Sequence, residues 1–162
     1  MIVTFYFFIS WMLIGLFLFN RIHQHASVKE VTLLILLSCL INTHTYVGLF
    51  DTFKWMKTTT DTKLFIAVLI YKNIAVPLMV SIFTLMISRS RWNKKILYFI
   101  LFNLFICSLD LINVSQGLYS FKQWNHIYTF LYFSIFLFGL LFTLKWYRGL
   151  DSWSRGESNV VD

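Results

Sequence analysis

Five stretches of this chain, each close to twenty residues long, run almost without charge. They lie at about 2–19, 31–50, 64–88, 96–114 and 127–147. A helix needs about 20 mostly apolar residues to cross about 30 Å of hydrocarbon, and each stretch meets that length. Barrel strands would be about ten residues long with alternating polarity, a pattern these stretches lack. A helix also satisfies its own backbone groups, as lipid demands. The expected fold class is all-α: a polytopic integral membrane protein built as a bundle of five transmembrane helices.

Composition leads the same way. Of 162 residues, 58% are hydrophobic, 20% aromatic and 13% charged. An ordinary soluble domain is about 45–50% apolar and about 25% charged. Eighteen Phe, eight Tyr and six Trp are too many to hide in one small soluble core. A soluble globular domain, a disordered chain and a disulfide scaffold are therefore excluded. Residues 1–150 read as a single transmembrane domain and 151–162 as a polar C-terminal tail. Cys39 and Cys107 fall inside apolar stretches, far apart, and read as small buried apolar residues.

Charge sets the expected orientation. With the N-terminus outside, nine Lys and Arg fall on the inner side, from Arg21 to Arg155, against four outside: Lys54, Lys57, Lys63 and Lys122. The positive-inside rule then predicts N-terminus out and C-terminus in, in a bacterial cytoplasmic membrane. Trp55 and Trp124 would mark the outer interface, and Trp92, Trp146 and Trp153 the inner one. The first stretch has no positive n-region and no small-residue cleavage site, so it reads as an uncleaved helix. The formal net charge of +7 reports orientation; with no basic tract interleaved with aromatics, no nucleic-acid partner is expected.

Polar residues at membrane depth are costly and usually face protein or water. At 1.5 Å per residue, Lys72 and Asp110 lie roughly 6–7 Å outward of their span centres, His44 roughly 5 Å and Asn42 roughly 2 Å. Four polar residues from three spans thus share one layer. Asn103, Asp110 and Asn113 share a helix face, as do Ser38, Asn42 and Thr45. Pro77 lacks an N–H and clashes with the carbonyl four residues back, that of Asn73. The expected site is a small outward-facing polar cluster of Asn42, His44, Lys72, Asn73, Asp110 and Asn113, with Lys72 and Asp110 as its ion pair. Blander readings stand beside it. Lys72 snorkels, Asp110 sees water at a flared helix end, His44 and the asparagines only hold helices together, and Pro77 only kinks its helix.

No catalytic motif is present: no H-E-x-x-H, no G-x-S-x-G, no Walker loop and no dinucleotide fingerprint. His23, His25 and His126 do not make a zinc site, which needs three or four converging ligands. No cofactor and no metal is expected, and no enzyme activity.

The stretch 110–147 runs D-L-I-N-V, then Gly117, then Lys122, Gln123, Trp124 and Asn125, then a closing aromatic-aliphatic helix. It resembles the C-terminal part of small multi-spanning membrane proteins of endospore-forming, low-GC Gram-positive bacteria. The resemblance carries no chemistry; it implies spore formation or germination as a context. Two functional expectations follow. One is a non-enzymatic membrane protein whose polar cluster binds or passes a small polar solute or ion. The other is a structural or accessory subunit of a membrane complex, with other membrane-protein subunits and the lipid bilayer as partners.

Overall fold

A computed structural model describes residues 2–24 and 27–158. The chain is all-α apart from one short ribbon. The elements in order are α1 (Ile2–Gln24), α2 (Val28–Val47), β1 (Met56–Thr58), α3 (Thr62–Ile70), α4 (Val76–Arg89), α5 (Trp92–Ser115), β2 (Tyr119–Phe121) and α6 (His126–Ser158). A π turn, Gly48–Thr52, extends α2, and a second, Tyr71–Ala75, joins α3 to α4.

Among the described residues four helical segments are long and apolar enough to cross a membrane: Val28–Thr52, Thr62–Arg89, Trp92–Ser115 and His126–Leu150. In α1 the apolar stretch Phe5–Leu16 is shorter. The helices begin where side chains satisfy the free N–H groups of a first turn. Ser27 Oγ accepts from the Glu30 N–H at 3.1 Å, starting α2 three residues before the apolar stretch does. Asp61 Oδ1 accepts from the N–H groups of Lys63 and Leu64, at 2.8 and 3.0 Å, and starts α3. At the other end of the chain α6 continues through residues 151–158, which the sequence reading assigned to a tail. No proline interrupts it, and 159–162 lie outside the described residues.

The span formed by α3 and α4 is the centre of the bundle. Of its most apolar window 61% is buried, against 22–39% for the other three spans. Val76, Met79, Val80, Ile82 and Leu85 are buried there, and Leu34, Phe102, Ile106, Leu137, Leu140 and Leu144 pack around them.

The ribbon was not expected. β1 and β2 pair antiparallel, with Met56 opposite Phe121, Lys57 opposite Ser120 and Thr58 opposite Tyr119. The pairing is extended by Thr59 N–H to the Leu118 carbonyl at 3.0 Å and Lys122 N–H to the Trp55 carbonyl at 2.9 Å. It brings the two connectors of one end together as a cap. Trp55 and Trp124 flank it with ring centroids 6.1 Å apart.

The opposite end is tied by charge. Glu30, placed in a connector by the sequence reading, is buried. Its carboxylate accepts from Arg89 Nη2 at 2.9 Å and from Arg148 Nε at 2.6 Å. One acid thus joins α2, α4 and α6.

Candidate functional site

The site is made at the ribbon end, around Asp110. Residues Asn103, Asp110 and Asn113 are all buried, so the inward polar face read from their spacing on α5 is present. What α5 meets there is set by the turn that ends it. Gly117 has φ +70, a conformation that an L side chain adopts only with strain. The Gly117 N–H bonds the Val114 carbonyl at 3.0 Å, and the Leu118 N–H bonds the Asn113 carbonyl at 3.0 Å. These are the two hydrogen bonds of a Schellman cap, and Leu118 is the buried apolar residue that accompanies it. The cap reverses the chain, so Tyr119 returns its hydroxyl to the helix it has just left.

Tyr119 donates to Asp110 Oδ1 at 2.6 Å and accepts from Asn113 Nδ2 at 3.1 Å. Asn113 Oδ1 in turn accepts from the Tyr6 hydroxyl of α1. The second carboxylate oxygen, Oδ2, faces His126 Nδ1 at 2.9 Å and accepts from the Thr129 hydroxyl at 3.1 Å. A carboxylate only accepts, so His126 donates from Nδ1. Thr129 itself accepts from Trp124 Nε1 at 2.9 Å. The start of α6 arranges these three. Asn125 caps it by accepting from the Tyr128 N–H at 3.0 Å. His126 and Thr129 then stand three residues apart, on one face in the first turn.

Asp110 is 4% exposed, while the His126 side chain is 41% exposed. The network therefore runs from a buried carboxylate to an imidazole at the surface. Burial pushes the Tyr119 hydroxyl well above the ordinary tyrosine value, with Tyr71, Tyr46 and the Asp110 carboxylate adding to the shift. It stays a neutral donor. Beside Asp110 is a void of about 20 Å³, lined among others by Tyr46, Tyr71 and Tyr132. A water needs at least about 10–15 Å³, so one fits. Tyr132 lines this void beside Thr45, its hydrogen-bonding neighbour on α2.

The expected cluster is only partly assembled. Asp110 and Asn113 belong to the network. The Lys72–Asp110 ion pair is not formed. The Lys72 ammonium lies over the Tyr46 ring, 5.2 Å from its centroid, in a depression shared with Asp51 and Phe65. Tyr46 also lines the void beside Asp110, so it stands between the two charges. His44 is exposed on the outside of α2 and bonds only the Leu40 carbonyl of its own helix, at 2.9 Å. Asn73 is exposed as well.

Asn42 does reach α3–α4, by a route its depth alone did not show. In the π turn the Val76 N–H bonds the Tyr71 carbonyl, five residues back. The next bond of that register would run from residue 77 to Lys72, and Pro77 has no N–H to give. The carbonyl left open is therefore Lys72's, one residue before the Asn73 carbonyl expected for a regular helix. Buried Asn42 Nδ2 donates to it.

Sequence reasoning passed over Tyr6, Tyr119 and Thr129, read Trp124 as an interface marker and weighed His126 as a metal ligand alone. A readable signal existed for two of them: a His and a Thr three apart, just after a capping Asn. Tyr6 and Tyr119 look like ordinary aromatics of an aromatic-rich chain. Among the described residues no three His, Cys, Asp or Glu side chains converge as metal ligands. Comparison with protein-family models, curated proteins and solved structures finds no match.

Proposed function

We propose that this is a non-enzymatic, structural or accessory protein of a bacterial cytoplasmic membrane, and that the Asp110 network is the latch closing its outer end. In this reading α1 is a fifth span and the N-terminus is outside. The basic connector 89–95 then faces inward, and the ribbon is an outer cap. The observation that carries the reading is that Asp110 accepts three hydrogen bonds of about four a carboxylate can take. Both of its oxygens are taken by donors of the same chain, and the space beside it holds no more than a water. Such a carboxylate holds the cap, α5 and α6 together and has no room for a solute.

A second reading keeps the binding of a small ion. It is favoured by one feature, the void of about 20 Å³ beside a buried carboxylate, lined by Thr45 and Tyr132. Single-cysteine variants separate the two. Asn42→Cys, Asp110→Cys and Asn113→Cys would be treated on intact cells with an impermeant thiol reagent, in a background of Cys39→Ser and Cys107→Ser. Lys54→Cys in the outer loop serves as control. The latch predicts reaction at position 54 and silence at the other three. Reaction at 110 and 113 from outside would establish an aqueous path and replace the latch with the ion site.

A further inference from the structure

The end opposite the ribbon carries a lateral groove of about 460 Å³ between α5 and α6, floored by Ile87 of α4. That volume lies within the range of about 300–1,000 Å³ typical of small-ligand pockets. Its depth is apolar: Phe99, Phe138 and Leu141, with the rings of Phe99 and Phe138 5.4 Å apart. Its mouth is basic: Lys95, Lys145 and Arg148. The order follows from the two helices running antiparallel. Along α5, Lys95 precedes Phe99 by four residues, about 6 Å; along α6, Lys145 follows Phe138 by seven, about 10 Å. Charge thus sits at one level and hydrocarbon-like surface one to two turns deeper.

Charge at the mouth is not balanced. Among the side chains described at this end Glu30 is the acid, and it is held by both Arg89 and Arg148. One carboxylate against two guanidiniums leaves a formal +1, and Lys95 and Lys145 raise it to +3. Trp92 lies at the same mouth, 74% exposed. An exposed Trp at a helix end marks headgroup level in a membrane protein.

We propose that this groove binds one anionic phospholipid, its phosphate held by Lys95, Lys145 and Arg148 and an acyl chain laid over Phe99, Phe138 and Leu141. The occupant is fixed by two complementarities that must be met together: a negative head at the level of three cations, and a chain in the apolar slot directly beneath. A zwitterionic lipid satisfies only the second and a free phosphate only the first. The site rests on the membrane reading given above, and its leaflet on the proposed orientation; its preference for charge does not depend on which leaflet it faces.

The test uses the full chain in detergent, titrated with phosphatidylglycerol or phosphatidylcholine carrying the same brominated acyl chains. Bromine quenches nearby tryptophan, and subtracting the signal of Trp92→Phe isolates Trp92. The expected result is half-quenching of Trp92 at about tenfold less phosphatidylglycerol than phosphatidylcholine, the size of effect that one or two basic residues give beside an anionic headgroup. In Lys95→Gln/Lys145→Gln, which leaves Arg148 as the one cation of the three, the preference should fall to about twofold or less. Glycerol 3-phosphate at matched concentration should not relieve the quenching. Equal quenching by the two lipids in the unmodified chain overturns the proposal, and that arm needs no lysine variant to fold. A preference that survives the double substitution undiminished overturns it too, as does full displacement by glycerol 3-phosphate. A chain that stays monomeric and folded without detergent defeats the membrane reading itself.

Discussion

Each end of the bundle is closed by one buried acid, and the two acids work in opposite ways. Asp110 is held by two hydroxyls and an imidazole, all from residues 9 to 19 positions away. Glu30 is gripped by two guanidiniums from residues 59 and 118 positions away. The first is a local device, which folds the α5–β2–α6 hairpin on itself and recruits α1 through Tyr6. The second closes the whole bundle and cannot form until α2, α4 and α6 are together. Surroundings follow the same division. The void against Asp110 itself is about 20 Å³, though wider depressions lie around the ribbon; beside Glu30, its partner Arg148 lines an open groove of about 460 Å³. Hydroxyl and imidazole donors suit a narrow site, because they satisfy a buried carboxylate by short hydrogen bonds at fixed positions. Arginines suit an open end, where each keeps part of its guanidinium in the headgroup region.

The comparison breaks first at Asp110. Asp110→Ala strands the Tyr119 and Thr129 hydroxyls and the His126 Nδ1–H. At about 1–3 kcal/mol for each unsatisfied buried group, the expected loss is about 3–5 kcal/mol, read by denaturant titration in micelles. A loss below about 1 kcal/mol would mean that the Asp110 end is held by the ribbon alone. Glu30→Gln comes next, at about 2–3 kcal/mol. It removes the counter-charge of two arginines, but their side chains are 27% and 33% exposed and can turn to water. A cost equal to that of Asp110→Ala would erase the distinction between a narrow site and an open end.

Smaller substitutions sharpen it. Asn42→Leu leaves the Lys72 carbonyl without its donor and should cost about 1–2 kcal/mol. Pairing it with Pro77→Ala, which restores an N–H to the helix, should recover part of that. Gly117→Ala meets no atom within 4 Å, so only the backbone at φ +70 resists it; about 1–2 kcal/mol is expected, lost from the same cap that aims Tyr119. Lys72→Met should be the mildest, below about 1 kcal/mol, since it removes a contact with the Tyr46 ring and no ion pair. A cost at Lys72 as large as at Asp110 would restore the pair that depth alone had indicated.

Much of α5 was legible in advance. Asn103, Asp110 and Asn113 stand seven and three apart, and that spacing alone turns them to one face, which is buried. The ribbon was not legible, because strands of three residues are too short to show a period of two. The partners of Glu30 were hidden for another reason. Arg89 and Arg148 read as inner-side basic residues, and nothing in their local sequence ties them to an acid at the start of α2. Pro77 was read as a kink that frees the Asn73 carbonyl, but the carbonyl it frees is that of Lys72, because the helix widens into a π turn just before it.

The sequence by itself determined four segments that are long and apolar enough to span, though not the shorter apolar stretch of α1, and how far along its helix each polar side chain stands. Both follow from distance along a helix, which residue number measures at about 1.5 Å per step. Only the tertiary structure decided who meets whom at a given depth. Lys72 and Asp110 share a layer by count, yet Tyr46 stands between them and each finds other company. Partnership depends on how each helix is rotated about its axis and which neighbour it faces, and those are properties of the packed bundle.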